Sequence, residues 1–182
     1  MIKYKHLVIN KHHKTLTQIF QDSPWTKYWI NSIFESWDNE GNTPLHVASI
    51  VGNINIFKYL FKTLIIAFEG MNQGIRIKII EATNKEKYTP FLLSVKNSNH
   101  EIMEYLITDW FWTAICRNSD FQNPLHLAVL NKDIKTICLL LWMDAEQAFL
   151  MSEKDKNHNT PLDIADKICS ILLKAWEFKD GK

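Results

Sequence analysis

A four-residue phrase, Thr43-Pro44-Leu45-His46, returns along the chain as Thr89-Pro90-Phe91-Leu92, Asn123-Pro124-Leu125-His126 and Thr160-Pro161-Leu162-Asp163. Each copy has the chemistry of a helix start. A Thr or Asn side chain accepts a hydrogen bond from an orphan backbone N–H, and a proline at the first helical position gives up no hydrogen bond. The four prolines stand 46, 34 and 37 residues apart. A helix start that returns at near-constant spacing means stacked repeats, whose working part is an extended surface rather than a catalytic cleft.

The match extends well beyond the tetrapeptide. Immediately after the prolines come Leu45, Phe91, Leu125 and Leu162, and four residues after them the small Ala48, Ser94, Ala128 and Ala165. In the first three copies, twelve and thirteen residues on, stand Ile56-Phe57, Ile102-Met103 and Thr136-Ile137, and further on Leu60-Phe61, Leu106-Ile107 and Leu140-Leu141. Steps of three and four fall on one helical face, so these positions predict a second helix with one apolar stripe. The small residue predicts a close helix–helix approach.

On these residues the chain resembles the ankyrin-repeat family from about residue 38 to 176, and more weakly back to residue 5. The resemblance implies an all-α solenoid of three to four helix-pair repeats with short β-hairpin fingers, a divergent N-terminal helical cap and a degenerate C-terminal cap. Asp38 to Asn42 looks like a family finger, with Gly41 supplying the positive φ of its turn. Lys87, Phe121 and His158 take that place in the other copies, so they must bear a left-handed backbone or reshape the finger. His46 and His126 occupy the positions where family histidines support the turn by hydrogen bonding.

The whole chain, 1–182, is expected to be one domain. Within it we expect a divergent N-terminal repeat and cap helix at 5–37, a repeat at 38–83, repeats at 84–117 and 118–154, and a capping repeat at 155–182. The long first interval predicts an insertion at about 62–83: an extended second helix, a turn and a further short helix. The alternation Ile75-Arg76-Ile77-Lys78-Ile79 also permits a strand. Near the start, Leu16, Ile19 and Phe20 fall in register with Ile137, Leu140 and Leu141, and Ser23-Pro24 opens a helix carrying Trp25, Trp29 and Ile33 on one face. In the last copy a shortened helix is expected to turn Leu172, Leu173 and Trp176 inward.

The family binds other proteins through finger tips and the concave face of its helices. By position, the resemblance assigns to a partner-binding surface the finger residues Asn39, Glu40, Asn42, Lys85, Glu86, Tyr88, Ser119, Asp120, Phe121 and Gln122, and the helix residues Ile50, Val51, Lys96, Asn97, Leu130 and Asn131. Tyr88 and Phe121 are aromatics of the kind that anchor interfaces, and Ile50, Val51 and Leu130 offer a dry centre. The pair Trp110 and Trp112, following a second helix, is expected in the convex-side core.

Other classes find less support. Twenty-one Lys and Arg against 20 Asp and Glu leave a formal charge of +1, so no global field draws nucleic acid or an anionic membrane. Arg76 and Arg117 are the only arginines, which nearly removes the planar fork used to read bases. Lys3, Lys5, Lys11 and Lys14 make the start basic, which reads as a solvated cap. The longest apolar run, Leu64 to Phe68, is far short of the ~20 residues that span a bilayer. Cys116, Cys138 and Cys169 are widely spaced and odd in number, fitting a reducing compartment and burial as small hydrophobes. His6, His12 and His13 are poorly spaced for a closed tetrahedral site. No nucleophile–base set, phosphate loop or metalloprotease motif stands out. The expectation is a non-enzymatic, cofactor-free, cytoplasmic protein, monomeric unless bound, whose partner is another protein. It would be an adaptor, a bacterial effector acting in a host cytoplasm, or a regulatory segment of a larger protein such as a channel.

Overall fold

The computed structural model of the chain describes residues 38–67, 81–109, 116–143 and 149–180, without the side chains of 64–67, 109 and 176–180. The expectations for the N-terminal cap, for residues 68–80 of the insertion, for Trp110 and Trp112 and for the Trp176 side chain fall outside what is described.

The described helices are α1 (Pro44–Val51), α2 (Ile54–Ala67), α3 (Pro90–Lys96), α4 (His100–Asp109), α5 (Pro124–Leu130), α6 (Ile134–Met143), α7 (Phe149–Ser152) and α8 (Lys167–Asp180). Three pairs, α1–α2, α3–α4 and α5–α6, each fold back on themselves, and α1, α3 and α5 pack side by side in that order. Thr43, Thr89 and Asn123 sit at the N-caps with extended backbone, each followed by proline at the first helical position.

Every short first helix ends the same way. Gly52, Ser98 and Lys132, all eight residues after their prolines, hold φ of 75°, 53° and 56°. The reversal is closed by Asn99 N–H donating to Ser94 O at 2.9 Å and Asp133 N–H to Ala128 O at 3.0 Å. The next residue then caps the second helix. Asn53 Oδ1 accepts from Ile56 N–H, and Asp133 Oδ1 from Thr136 N–H, both at 3.1 Å.

The apolar offsets read from the sequence form the core. Leu45, Phe91 and Leu125, then Phe57, Met103 and Ile137, then Phe61, Leu106 and Leu140 are all buried. Ala48, Ser94 and Ala128 have no accessible surface, as a close helix approach requires. Ser94 spends its hydroxyl on Phe91 O at 2.7 Å, which lets a polar residue take a place that alanine fills elsewhere. Between repeats, Phe57 and Phe61 of α2 meet the edge of Tyr105 of α4, with ring centroids 6.3 and 5.9 Å apart.

Three features differ from expectation. The described fingers contain no strand. Each is a tight turn, crossed in the last three by a bond such as Asn84 N–H to Tyr88 O at 3.0 Å, too short for a ladder. In the last copy the Thr160-Pro161-Leu162-Asp163 segment makes a turn rather than a helix, and α8 starts only at Lys167, capped by Asp166 through Cys169 N–H at 3.0 Å. That start sets the register: Cys169 and Leu173, four apart, are buried, whereas Leu172 is half-buried and Ile168 and Ile171 are exposed. Cys138, expected inside, is exposed, because it lies off the stripe that Ile137, Leu140 and Leu141 turn inward.

Candidate functional site

The fingers are built by a residue six before each proline. Asp38, Asn84, Asn118 and Asp155 each use Oδ1 to accept two backbone N–H groups, from the residues two and four further on, at 2.8–3.1 Å. This double acceptance folds four different sequences into one turn, closed by N–H groups of Gly41, Lys87, Phe121 and His158 at 3.0 Å. The three non-glycine residues hold φ of 59°, 58° and 64° beside 78° at Gly41, so they bear the left-handed backbone and the finger keeps its shape.

Successive fingers are then joined. Lys85 N–H donates to Glu40 O, Ser119 N–H to Glu86 O and Lys156 N–H to Asp120 O, at 2.9–3.0 Å. Side chains repeat the link: Asn84 Nδ2 donates to Asn42 Oδ1 and Asn118 Nδ2 to Tyr88 Oη, both at 2.9 Å. Ion pairs join Arg117 to Glu153 and Lys156 to Asp120.

The two histidines of the repeated phrase tie helix to finger. His46 Nε2 lies 2.9 Å from Tyr88 O, so the ring carries its proton there and donates it to the next finger. Nδ1 then accepts from Thr43, whose N–H is at 3.1 Å and hydroxyl at 2.7 Å. His126 Nε2 makes the same bond to Asn159 O at 3.0 Å. Burial holds both imidazoles below their usual pKa, so each stays neutral. Leu92 stands at the equivalent place in the middle repeat, and there the Tyr88 hydroxyl, taking Asn118 Nδ2, supplies the link to the next finger.

Two more side chains fix the helix row. Asn99 Nδ2 donates to Ser49 O at 2.6 Å, and Asn131 Nδ2 to Lys96 O at 2.8 Å and Val95 O at 3.1 Å, so the last turns of α1 and α3 are satisfied by the following repeat. Nearby, burial works against ionising Asp133, but the Thr136 hydroxyl and N–H and His100 Nε2, at 2.8 Å, outweigh it and hold the carboxyl below its usual range.

These contacts sort the residues expected to face a partner. Asn42 and Tyr88 are inside, joining one finger to the next. Gln122 and Asp120 are half-buried, engaged with Asn118 and Lys156. Asn39, Glu40, Lys85, Glu86 and Ser119 are exposed along the tips, with Phe121 at 51%. On the helix row Ile50, Val51 and Leu130 are 40%, 48% and 51% exposed, and Lys96, Asn97 and Asn131 are exposed beside them. The ends of the three helices read Ile50-Val51-Gly52, Lys96-Asn97-Ser98 and Leu130-Asn131-Lys132, nine positions with two lysines and no acid. Lys132 pairs with Asp166 at 3.1 Å, whereas Lys96 Nζ lies 4.3 Å from the centre of the Tyr88 ring. The sequence reading missed Asn84, Asn118, Asp155 and Asn99, placed Asp38 in a finger without its role, and gave Asn131 to the partner face rather than to the link between repeats. Only the finger-building Asp and Asn left a readable signal, an Asx residue at constant distance before each proline.

No group of three or more His, Cys, Asp or Glu side chains suited to a metal occurs among the described residues. Burial pushes the Cys116 thiol up to about 12, which leaves it without a reactive thiolate near neutral pH.

Capped helix pairs and linked fingers define a helical repeat protein. Models of ankyrin repeats match residues 40–63 as one repeat and 64–148 as a run of them, and the chain belongs to the ankyrin-repeat family. Among curated proteins it is similar to Synphilin-1 of Mus musculus, 24% identical over 131 residues. The match takes in 71% of this chain and only 12% of that protein. Ankyrin repeats are protein-interaction modules. No described helix is long and apolar enough to cross a membrane.

Proposed function

We propose that the chain binds another protein across its finger tips and the exposed ends of α1, α3 and α5, and that it does so without catalysing a reaction. The observation that carries this is the set Ile50, Val51 and Leu130, left open on α1 and α5, whose other apolar positions are mostly packed. Burying such a set is favourable and non-directional, while the polar tips supply register and selectivity. His46, His126 and Cys116, among the described residues best suited to chemistry, are committed to the fold or held unreactive. The double variant Ile50→Glu/Leu130→Glu tests the surface. It should keep the helical circular dichroism and lose the proteins that the wild type retains from a native lysate; equal recovery rejects the reading.

A second reading concerns context. The likeness to a small part of a much longer protein favours a binding segment that serves a larger polypeptide. An immunoblot of the native source tests it, with a band well above 21.4 kDa as the expected result. The cytoplasm is the proposed location, and a role as an effector in a host cytoplasm would show in a translocation reporter assay.

A further inference from the structure

Ile50, Lys96 and Leu130 occupy the same place, six residues after the proline, on three helices packed side by side. Neighbouring packed helices lie about 8–10 Å apart. By that rule the row presents an apolar, a cationic and an apolar point on three successive helices, about 8–10 Å from one to the next, and the nine positions around it hold no acid.

A bound segment must repeat a face at that step. A β-strand returns to the same face every ~6.6 Å, which misses it. A polyproline II helix has three residues per turn and rises about 9 Å per turn, which meets it. An α-helix returns after about 10.5 Å, but a docked helix also presents anchors at three- and four-residue steps and needs a continuous apolar groove. Here Lys96, Asn97 and Asn131 interrupt the apolar surface. Lys96 is also held in place, its ammonium over the Tyr88 ring, so less side-chain entropy is lost when a carboxylate meets it.

We propose that this row receives an extended, polyproline-II-like acidic segment of a partner protein, with an Asp or Glu set against Lys96 and an apolar residue three places to either side. The inference rests on the partner-binding face proposed above and names the chemistry of what it binds.

A phage library of random dodecamers, selected on the whole chain, tests it. Enriched peptides should share the pattern apolar-x-x-acid-x-x-apolar. In fluorescence polarisation their affinity should fall about tenfold or more in Lys96→Glu, a surface change whose folding circular dichroism would verify. Peptides with Lys at the centre should regain affinity for that variant. The proposal is overturned if no peptides enrich, if the enriched set lacks the acid or shows helical three- and four-residue spacing, or if Lys96→Glu binds the acidic peptides as well as wild type. Should Ile50→Glu/Leu130→Glu lose its lysate partners while the acidic peptides fail, the face is a docking site and only the assigned chemistry is wrong.

Discussion

At the scale of single residues, His46 and His126 do what their place in the repeated phrase promised. Each donates from Nε2 to a carbonyl of the following finger, across 42 and 33 residues of sequence. A buried neutral imidazole has a pH signature. Its folded pKa lies below the ordinary value of 6.5, so between the two values the unfolded chain binds more protons. The stability tied to these rings is complete above about pH 6.5 and is lost as pH falls through that value towards the folded pKa. Asp133, lowered from 3.8, loses its contribution only at still lower pH. The urea midpoint should therefore drop between pH 7.5 and 5.5, and drop less in His46→Gln; a flat or rising midpoint contradicts the assignment. Isolated positions were less readable. Asn42 and Tyr88 looked like free finger residues because nothing local says that the next finger's Asn reaches them.

Within each element, the unusual feature is a left-handed residue at two fixed places per repeat, one in the finger and one between the helices. Glycine fills the first repeat at both; Lys87, Ser98, Phe121, Lys132 and His158 fill the others. A non-glycine residue pays about 1–2 kcal/mol there, while glycine loses about 0.5–1 kcal/mol more chain entropy on folding. Lys87→Gly should accordingly raise unfolding stability by up to about 1 kcal/mol in chemical denaturation. Gly52→Ala should lower it by at least about 1 kcal/mol. Its Cβ would collide with Asn99 Oδ1 at a φ of 75°, pushing away the side chain that holds Ser49 O. Similar losses in both variants would show that these turns are not what limits the repeat. Helix starts and core stripes were legible in advance, since capping and amphipathicity are local. The start of α8 was not. It depends on Asp166 outcompeting the Thr160 cap, a contest the apolar spacing does not record.

For the whole molecule, each repeat touches its neighbours and little else, so damage should fade with distance along the stack. Leu125 is fully buried in α5, and Leu125→Ala should cost about 2–5 kcal/mol. In hydrogen exchange, protection should fall most in α5 and α6, less in α3 and α4, and least in α1 and α2. A uniform loss would mean one indivisible core, and a cost under about 0.5 kcal/mol would place Leu125 on the surface.

By itself the sequence determined the repeat, its helix pairs and the residues that fill them, because caps, proline placement and three- and four-residue periodicity act over a few residues. Only the tertiary structure decided that Asn42 and Tyr88 face inward and that Asn99 and Asn131 reach back to close the preceding helices. Those facts depend on how one repeat is set against the next. That setting is made by hydrogen bonds between residues some 30 to 50 positions apart, and local pattern carries no record of them.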